Sequence, residues 1–230
     1  TNRILDHHKQ WLDARGMKLA DHVVRTWWFV RNIDADYHGL VNARREHFAF
    51  HGLTRDTHYI ASTGIAGAHS ALKAKLSLDS YAIAGLQERQ LEFVHSTDHL
   101  CPTQDYGVTF ERATAVTYAD RRHVFLSGTA SIDASGNILH EGDVVKQLDR
   151  TLENIEALLA NAGANIGDLV SLLVYLRDPA DAEIIERELH ERVSGVPFVL
   201  LHAPVCRPGW LIEIEGVAIV SSDRPDLPGF

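Results

Sequence analysis

Apolar residues recur along the C-terminal half of the chain with two periods, one typical of helices and one of strands. A stripe with a spacing of three or four residues predicts a helix over 143–162: Val145, Leu148, Leu152, Ile155 and Leu159. A similar stripe predicts a second helix after Pro179: Ile184, Ile185, Leu189 and Val193. Mostly apolar runs rich in branched or aromatic residues predict strands at 112–118, 123–127, 169–176, 198–202 and 211–220. The predicted order, β-β-α-β-α-β-β, is an α/β layer with the helices on one face of a sheet.

The N-terminal part of the chain repeats most of this pattern. Shifting the sequence by 147 residues pairs Leu12 with Leu159, Gly16 with Gly163, Leu19 with Ile166, Asp21 with Asp168, and Val23 with Val170. In both copies a helix ends at a glycine, where a left-handed cap costs little, and a buried strand follows, at 22–30 in the first copy. The first copy starts inside a helix, so we expect the chain to be truncated at its N-terminus.

The repeat divides the chain into four segments. Residues 1–86 are predicted to form a partial first module without its opening strands, and 87–109 a polar connector containing Pro102. Residues 110–222 form the complete module, and 223–230 a tail. The predicted fold class is therefore α/β, with one and a half copies of one module here and two in the intact protein.

Composition and charge narrow the class of protein. The 230 residues carry a formal net charge of −9 that is spread along the chain, which argues against a nucleic-acid partner. No apolar run of about 18 residues predicts a membrane span, and no signal-peptide pattern opens the sequence. Cys101 and Cys206 lie far apart and outside any C-x-x-C pattern, as in proteins of a reducing compartment. We therefore expect a cytoplasmic enzyme without disulfides.

Two glutamates in the last strand are candidates for proton chemistry. Because side chains alternate along a strand, Glu213 and Glu215 share one face, about 6–7 Å apart. Burial and a like-charge neighbour both raise a carboxyl pKa, as a proton donor requires near neutral pH. A solvated strand face explains the same pattern equally well. The first copy has Ser77 and Asp79 at the matching positions, which indicates one site per chain, in the second copy.

Other candidate sites are weaker. Cys206 stands in a loop seven residues before Glu213, although a lone cysteine is usually a small buried apolar residue. Two histidine pairs have the i, i+4 spacing used by zinc sites, His47 with His51 and His95 with His99, but neither lies in an H-E-x-x-H pattern. Neither a dinucleotide-binding glycine motif nor a P-loop occurs. We predict no metal and no cofactor.

The second copy carries a set of short motifs that are specific when taken together. They are Leu126-Ser127-Gly128, Gly136, Gly142-Asp143, Gln147, 152–155 (LENI), Ala162-Gly163, 168–170 (DLV), 212–215 (IEIE) and Ala218. Over about 110 residues this set resembles the Rid-like (YjgF-type) superfamily, which has a chorismate-mutase-like fold. Rid imine deaminases have a Pro-Ala-Arg segment whose arginine holds the substrate carboxylate, whereas this chain has Pro197-Phe198-Val199. That departure argues against imine hydrolysis.

Three further stretches resemble the chorismatases, which are tandem Rid-like enzymes: 31–37 (RNIDADY), 106–112 (YGVTFER) and 127–131 (SGTAS). This resemblance implies that the chain cleaves the enolpyruvyl ether of chorismate to pyruvate and a hydroxybenzoate, with 3-hydroxybenzoate favoured over 4-hydroxybenzoate. The alternatives are a chorismatase that forms a dihydroxycyclohexadiene carboxylate, a Rid-type imine or enamine hydrolase, and a non-catalytic binding protein. Rid modules also form trimers, so we expect a homotrimer or a tandem chain that mimics one.

The resemblance assigns roles to individual residues. Glu213 aligns with the chorismatase acid, which protonates the vinyl carbon of the substrate. Arginines are expected to clamp the two carboxylates of chorismate, with Arg112 the first candidate, followed by Arg31, Arg44 and Arg207. Tyr106 is expected either to bind substrate or to pack its ring, and Glu215 to contact the substrate.

Product choice is expected to depend on two small residues. In chorismatases the positions matching Cys206 and Ala119 are thought to steer the product. Cysteine at 206 resembles the hydroxybenzoate-forming type, whereas alanine rather than glycine at 119 is a mixed signal.

Overall fold

The computed structural model describes residues 1–71 and 73–229. Its α-helices are α1 (Asn2–Asp13), α2 (Leu19–His22), α3 (Ile33–Phe50), α4 (Val144–Asn161) and α5 (Ala182–Arg192). Its strands are β1 (Val23–Val30), β2 (Ala61–Ala66), β3 (Leu76–Ala82), β4 (Leu91–Val94), β5 (Ala113–Thr117), β6 (Arg121–Ala130), β7 (Leu169–Leu176), β8 (Phe198–His202) and β9 (Ile212–Ser221). We refer to α1–β3 as the first module and to β4–β9 as the second.

The second module is a sheet with strand order β4-β5-β6-β9-β7-β8. β7 and β8 are parallel and the other neighbours antiparallel. The helices lie on one face, where Ile212 and Ile214 of β9 join Leu148 and Leu152 of α4 in a buried core. Asp143 caps α4 by accepting a hydrogen bond from the Lys146 backbone nitrogen at 3.0 Å. The helices and strands predicted for this half are confirmed, with ends shifted by a few residues.

The first module repeats part of this architecture. Its strand order is β2-β1-β3, with β1 parallel to β2 and antiparallel to β3, as β7 is to β8 and β9. Gly16 and Gly163 end the corresponding helices at φ +69° and +73°, so the predicted left-handed caps are present. The chain therefore has the tandem α/β architecture that the repeat predicts.

The connector predicted at 87–109 is more structured than a polar linker. It contains β4, which pairs with β5 from Leu91 opposite Val116 to Val94 opposite Ala113. A short 3₁₀ helix, Thr103–Tyr106, follows. This strand was not predicted from the sequence. It is only four residues long and includes Glu92, so its alternation of apolar and polar residues is too short to be recognised.

The first module packs against the sheet face that the helices of the second module leave free. β2 runs beside β6, and the Ser62 backbone nitrogen donates to Ser127 Oγ at 2.8 Å. Bridges join Ala61 to Glu111 and Ile65 to Val205. Both faces of β9 are therefore covered. None of the described helices is long and apolar enough to cross a membrane.

Candidate active site

A cavity of about 370 Å³ lies between the two modules. Its walls come from α3 and β2 of the first module, and from β6, β9 and the loops before β5 and β9 of the second. Its lining includes the ionisable side chains of Tyr37, Arg44, Tyr106, Arg112, Cys206, Arg207 and Glu213. All of these except Tyr37 were singled out as single residues from the sequence, and the fold brings them to one place from both modules.

Glu213 is the buried acid of the cavity. It is 4% exposed, so the alternative of a solvated strand face is wrong. Burial, together with the neighbouring Glu215, raises the pKa of Glu213 to about 8, against the opposing effect of Arg25 and Arg112. Gly128 of β6 lies directly against this carboxyl, where a Cβ would collide with Oε1. The glycine therefore makes room for Glu213, which holds a proton at neutral pH.

Glu215 does not line the cavity, contrary to the prediction that it contacts substrate. Its carboxylate turns toward the first module, where Arg25 Nη2 lies 2.6 Å from Oε2 and Trp27 Nε1 donates to Oε1 at 2.7 Å. Thr63 Oγ1 donates to Oε2 as well. Because both oxygens accept hydrogen bonds from the first module, the Glu215 carboxylate is held away from the cavity.

Two buried arginines face the cavity without a carboxylate partner. Arg44 donates to Thr109 Oγ1 at 3.2 Å and to Ser62 Oγ at 3.4 Å, and Arg112 donates to the Cys101 carbonyl oxygen at 2.8 Å. Among the described residues, neither forms an ion pair, and Arg44 Nη2 and Arg112 Nε make no hydrogen bond of good geometry. A buried guanidinium with unused donors is a receptor for an anion.

Aromatic rings stack around these charges. Tyr106 lies between two guanidiniums, with Arg112 5.4 Å and Arg207 4.6 Å from its ring centroid. Arg207 also lies over Trp210 and donates to the Gly136 carbonyl oxygen at 3.0 Å. The Tyr106 ring therefore packs against cations, as one of its two predicted roles requires.

Cys206 lines the cavity beside Tyr37, to which it is hydrogen-bonded. Burial and the nearby Glu213 raise the pKa of Cys206 to about 12, so the side chain is a neutral thiol. In this state it is a small, weakly polar part of the wall rather than a nucleophile.

Two predicted site residues lie elsewhere. Arg31 is exposed at the end of β1, donates to the Ala71 carbonyl oxygen at 3.4 Å, and does not line the cavity. Ala119 lies in the turn between β5 and β6, where its backbone nitrogen donates to the Pro228 carbonyl oxygen. Small residues that do line the cavity include Gly128 and Ala130, both in the 127–131 stretch. Arginine and alanine are common residues, so residue type alone does not show which of them lie at the site.

The Pro197-Phe198-Val199 segment also lies away from this cavity. Val199 is 52% exposed on β8, the edge strand of the second module. Thr63 holds the matching place on β2 of the first module, since it pairs with Trp27 as Val199 pairs with Leu173. The first module thus contributes a threonine bound to Glu215 at this position, and no arginine.

Sequence reasoning missed three residues around the site: Arg25, Thr63 and Tyr37. Arg25 left a signal, because a lone arginine in the apolar strand 23–30 must find a buried partner. Tyr37 stands at the end of the 31–37 stretch without having been singled out. Within the described part of the chain, no group of three or more His, Cys, Asp or Glu side chains is placed to hold a metal, and the His47 and His51 rings pack at 4.5 Å.

Similarity to known proteins covers both modules. Residues 111–220 match the family described as endoribonuclease L-PSP. The chain is 40% identical over 97 residues to a RutC family protein of Pyrococcus abyssi, spanning 41% of this chain and 76% of that protein. It is 31% identical over 99 residues to the 3-aminoacrylate deaminase RutC of Acinetobacter baylyi, spanning 42% of this chain and 79% of the relative.

Two further matches are to proteins that are named for an enzyme activity, a 3-hydroxybenzoate synthase and a chorismatase. The chain is 34% identical over 131 residues to a 3-hydroxybenzoate synthase of Streptomyces hygroscopicus, over 50% of this chain and 38% of that enzyme. It thus spans well under half of that enzyme's length. A chorismatase crystal structure superposes with a TM-score of 0.77 at 23% identity, over 94% of this chain and 70% of the other. The fold of both modules is therefore that of the chorismatase. Because the chain matches more than two thirds of each RutC relative at 31–40% identity, it belongs to the endoribonuclease L-PSP family.

Proposed function

We propose that the chain is a chorismatase-type enzyme that cleaves the enolpyruvyl ether of chorismate and releases pyruvate. The observation that carries the proposal is a protonated, buried Glu213 in one cavity with two arginines that have no carboxylate partner. Chorismate presents two carboxylates and an acid-labile vinyl ether. The cavity, at about 370 Å³, lies within the roughly 300–1,000 Å³ typical of small-molecule sites.

The proton on Glu213 starts the reaction. Transfer to the methylene carbon of the enolpyruvyl group forms an oxocarbenium ion and leaves Glu213 as a carboxylate. Water or the ring hydroxyl then captures the cation at the carbon that carries the ether oxygen, and the proton released on capture returns to the Glu213 carboxylate. The water adduct is a hemiketal, in which the bond between this carbon and the ether oxygen breaks, so that pyruvate leaves and the oxygen stays on the ring. The internal adduct is a cyclic ketal, which becomes aromatic when a ring proton leaves and the bond from the ring to the oxygen of the captured hydroxyl breaks; pyruvate is then released from the remaining oxygen. Capture by water leaves a dihydroxycyclohexadiene carboxylate, whereas internal capture leads to the aromatic acid. A positioned general acid contributes about 10²–10⁴ in rate.

Arg44 and Arg112 bind the two substrate carboxylates. They approach the cavity from different modules, Arg44 on α3 and Arg112 just before β5, so each can hold one end of a dianion. Their burial strengthens the charge-assisted hydrogen bonds, because water does not compete for the same donors. Arg207, less buried and stacked on Tyr106, closes the wall.

The test is pyruvate release from chorismate, followed through lactate dehydrogenase. We expect turnover by the wild type and a loss of at least about 10²-fold in Glu213→Gln, which keeps the shape of the side chain but has no proton to give. Glu156→Gln, an exposed glutamate on α4, is the matched control and is expected to turn over normally. The absence of pyruvate above background with the wild type contradicts the proposal.

We further propose that 3-hydroxybenzoate is the main product, with 4-hydroxybenzoate a minor one. The similarity to a 3-hydroxybenzoate synthase supports this choice. So does the neutral Cys206 thiol in the wall, because it fills space that a water molecule would otherwise use to capture the cation. Chromatography of the ring product after complete conversion distinguishes it from the dihydrodiol.

The second candidate is hydrolysis of an imine or enamine. Similarity to a 3-aminoacrylate deaminase favours it, over 42% of this chain. Ammonia release from 3-aminoacrylate, generated in the assay, tests it directly. Ammonia without pyruvate release from chorismate favours this candidate over the first.

The remaining expectations concern assembly and location. We propose a homotrimer or a tandem chain that mimics one, with a first module at 1–86 and a second at 110–222 to which the connector adds β4, in the cytoplasm and without a nucleic-acid partner. Light scattering on the purified protein tests the assembly, and a stable dimer contradicts both forms.

A further inference from the structure

A buried ion pair joins the two modules directly behind Glu213. Arg25 of β1 is 2% exposed, and its Nη2 lies 2.6 Å from Glu215 Oε2 on β9. The two residues are 190 positions apart in the chain. Glu215 also accepts hydrogen bonds from Trp27 and Thr63 of the first module and from Tyr175 of β7. The carboxylate of Glu215 is thus surrounded by donors and faces away from the cavity.

Donors from the first module surround the Glu215 carboxylate. A guanidinium, an indole N–H and a hydroxyl group all donate to it, and the hydrogen bond from the guanidinium is charge-assisted. The ion pair also neutralises Arg25, which would otherwise be a buried charge without a partner. A fixed negative charge therefore stands two residues from Glu213 on the same face of β9.

We infer that Glu215 and Arg25 are positioning residues for the proton donor: the charge of Glu215, held in place by Arg25 of the first module, keeps the proton on Glu213. The inference rests on the proposed function for the role of Glu213 as a proton donor. It assigns to the first module a contribution to the chemistry of an acid that belongs to the second.

The groups that face Glu213 come from every element packed around it. They are Glu215 on its own strand, Arg25 on β1, Tyr37 on α3, Tyr106 and Arg112 before β5, Tyr175 on β7, and Cys206 before β9. The tyrosines and the cysteine are neutral, because burial raises each of their pKa values. Arg44 on α3 and Arg207 before β9 also line the cavity. Glu215 is the one negative charge among the groups that act on the Glu213 pKa, and it opposes the guanidiniums of Arg25 and Arg112.

Together these charges and the burial favour the protonated form of Glu213. Both guanidiniums stabilise the Glu213 carboxylate, whereas Glu215 destabilises it and has a larger effect on the Glu213 pKa than either arginine. Burial acts in the same direction as Glu215. If the charge of Glu215 is removed, Arg25 and Arg112 still stabilise the Glu213 carboxylate, so the pKa of Glu213 falls.

The experiment titrates the Glu213 carboxyl directly in the full chain without substrate. The ¹³C resonance of the side-chain carboxyl is followed from pH 4 to pH 10 in protein labelled with [δ-¹³C]glutamate, and Glu213→Gln assigns it. Because the Glu215→Gln variant leaves Arg25 buried without a counter-charge, the double variant Arg25→Gln, Glu215→Gln, which has no unpaired charge, is measured in parallel. Asp79→Asn is the matched control, since Asp79 is the exposed residue at the corresponding position of β3.

We expect the titration midpoint of Glu213 to fall by about one pH unit or more in Glu215→Gln. The double variant should fall between this variant and the wild type, because it also loses a positive charge, and Asp79→Asn should match the wild type. An unchanged midpoint in Glu215→Gln and in the double variant overturns the inference. If the variants show this order of midpoints but the wild type releases no pyruvate from chorismate, the proposed function is overturned while the link between Glu215 and Glu213 is supported.

Discussion

Gly128→Ala tests whether the placement of the Glu213 carboxyl controls turnover. A Cβ at this position would lie 2.8 Å from Glu213 Cδ, closer still to Oε1, and 3.1 Å from Thr63 Cγ2. Thr63 has little freedom to move, because its hydroxyl accepts from the Gly128 backbone nitrogen at 2.9 Å and is bound to Glu215. Carbon atoms pack at about 3.5–4.0 Å, so the Glu213 carboxyl must shift by about 1 Å.

A displacement of this size has a predictable cost. Misplacing a reacting group by about 1 Å lowers the rate by about 10²-fold, and we expect that loss in kcat for pyruvate release. KM should change less, since the Cβ points at Glu213 and Thr63 rather than at Arg44 or Arg112. The assay is pyruvate release at saturating chorismate, with thermal unfolding measured on the same sample.

Gly39→Ala is the matched control for this substitution. Gly39 is exposed on α3, and a Cβ there has no atom within 4 Å. The control should keep wild-type kcat and gain about 0.4–1 kcal/mol in the free energy of unfolding, because alanine restricts the unfolded chain. If folded Gly128→Ala keeps more than about a third of wild-type kcat, the carboxyl position does not limit the reaction, and the assigned geometry is wrong.

Three other perturbations test the remaining parts of the site. Glu213 must hold a proton to act, and its pKa is raised to about 8, so kcat/KM should stay level up to that pH and fall tenfold per pH unit above it. A pH profile that rises through pH 8 contradicts the acid role. Arg112→Ala should lower kcat/KM at least about tenfold, while Arg31→Ala, outside the cavity, leaves it unchanged; equal effects would remove Arg112 from the substrate site. Cys206→Ala opens space for roughly one water and should shift the product toward the dihydrodiol by chromatography, and an unchanged ratio makes Cys206 a packing residue.

The elements with strong local patterns were predictable from the sequence. The stripe over 143–162 and the apolar runs at 169–176 and 198–202 predict α4, β7 and β8 almost residue by residue, because each element is long enough to show its own hydrophobic pattern. β4 was not predictable in this way. Its four residues are stabilised by pairing with β5, a contact that depends on the fold rather than on its own composition.

The candidate site was predictable only in part. Glu213 and Arg112, which line the cavity, were singled out by two glutamates alternating on a strand and by a family resemblance before β5. Arg31 and Ala119 lie outside the cavity, since the resemblance supplied residue types without the geometry that decides which of them face it. The ion pair of Arg25 with Glu215 spans 190 residues, and a contact between modules leaves no periodic signal in either one.

The two copies of the module share a fold but contribute different chemistry. Ser77 and Asp79 stand on β3 where Glu213 and Glu215 stand on β9, so the acid belongs to the second module alone. The first module supplies Arg25 to the neighbouring carboxylate, and its β2 strand covers the face that buries the acid. The state of the acid is therefore a property of the interface between the modules, because exposing this face to water would remove the burial that raises the pKa of Glu213.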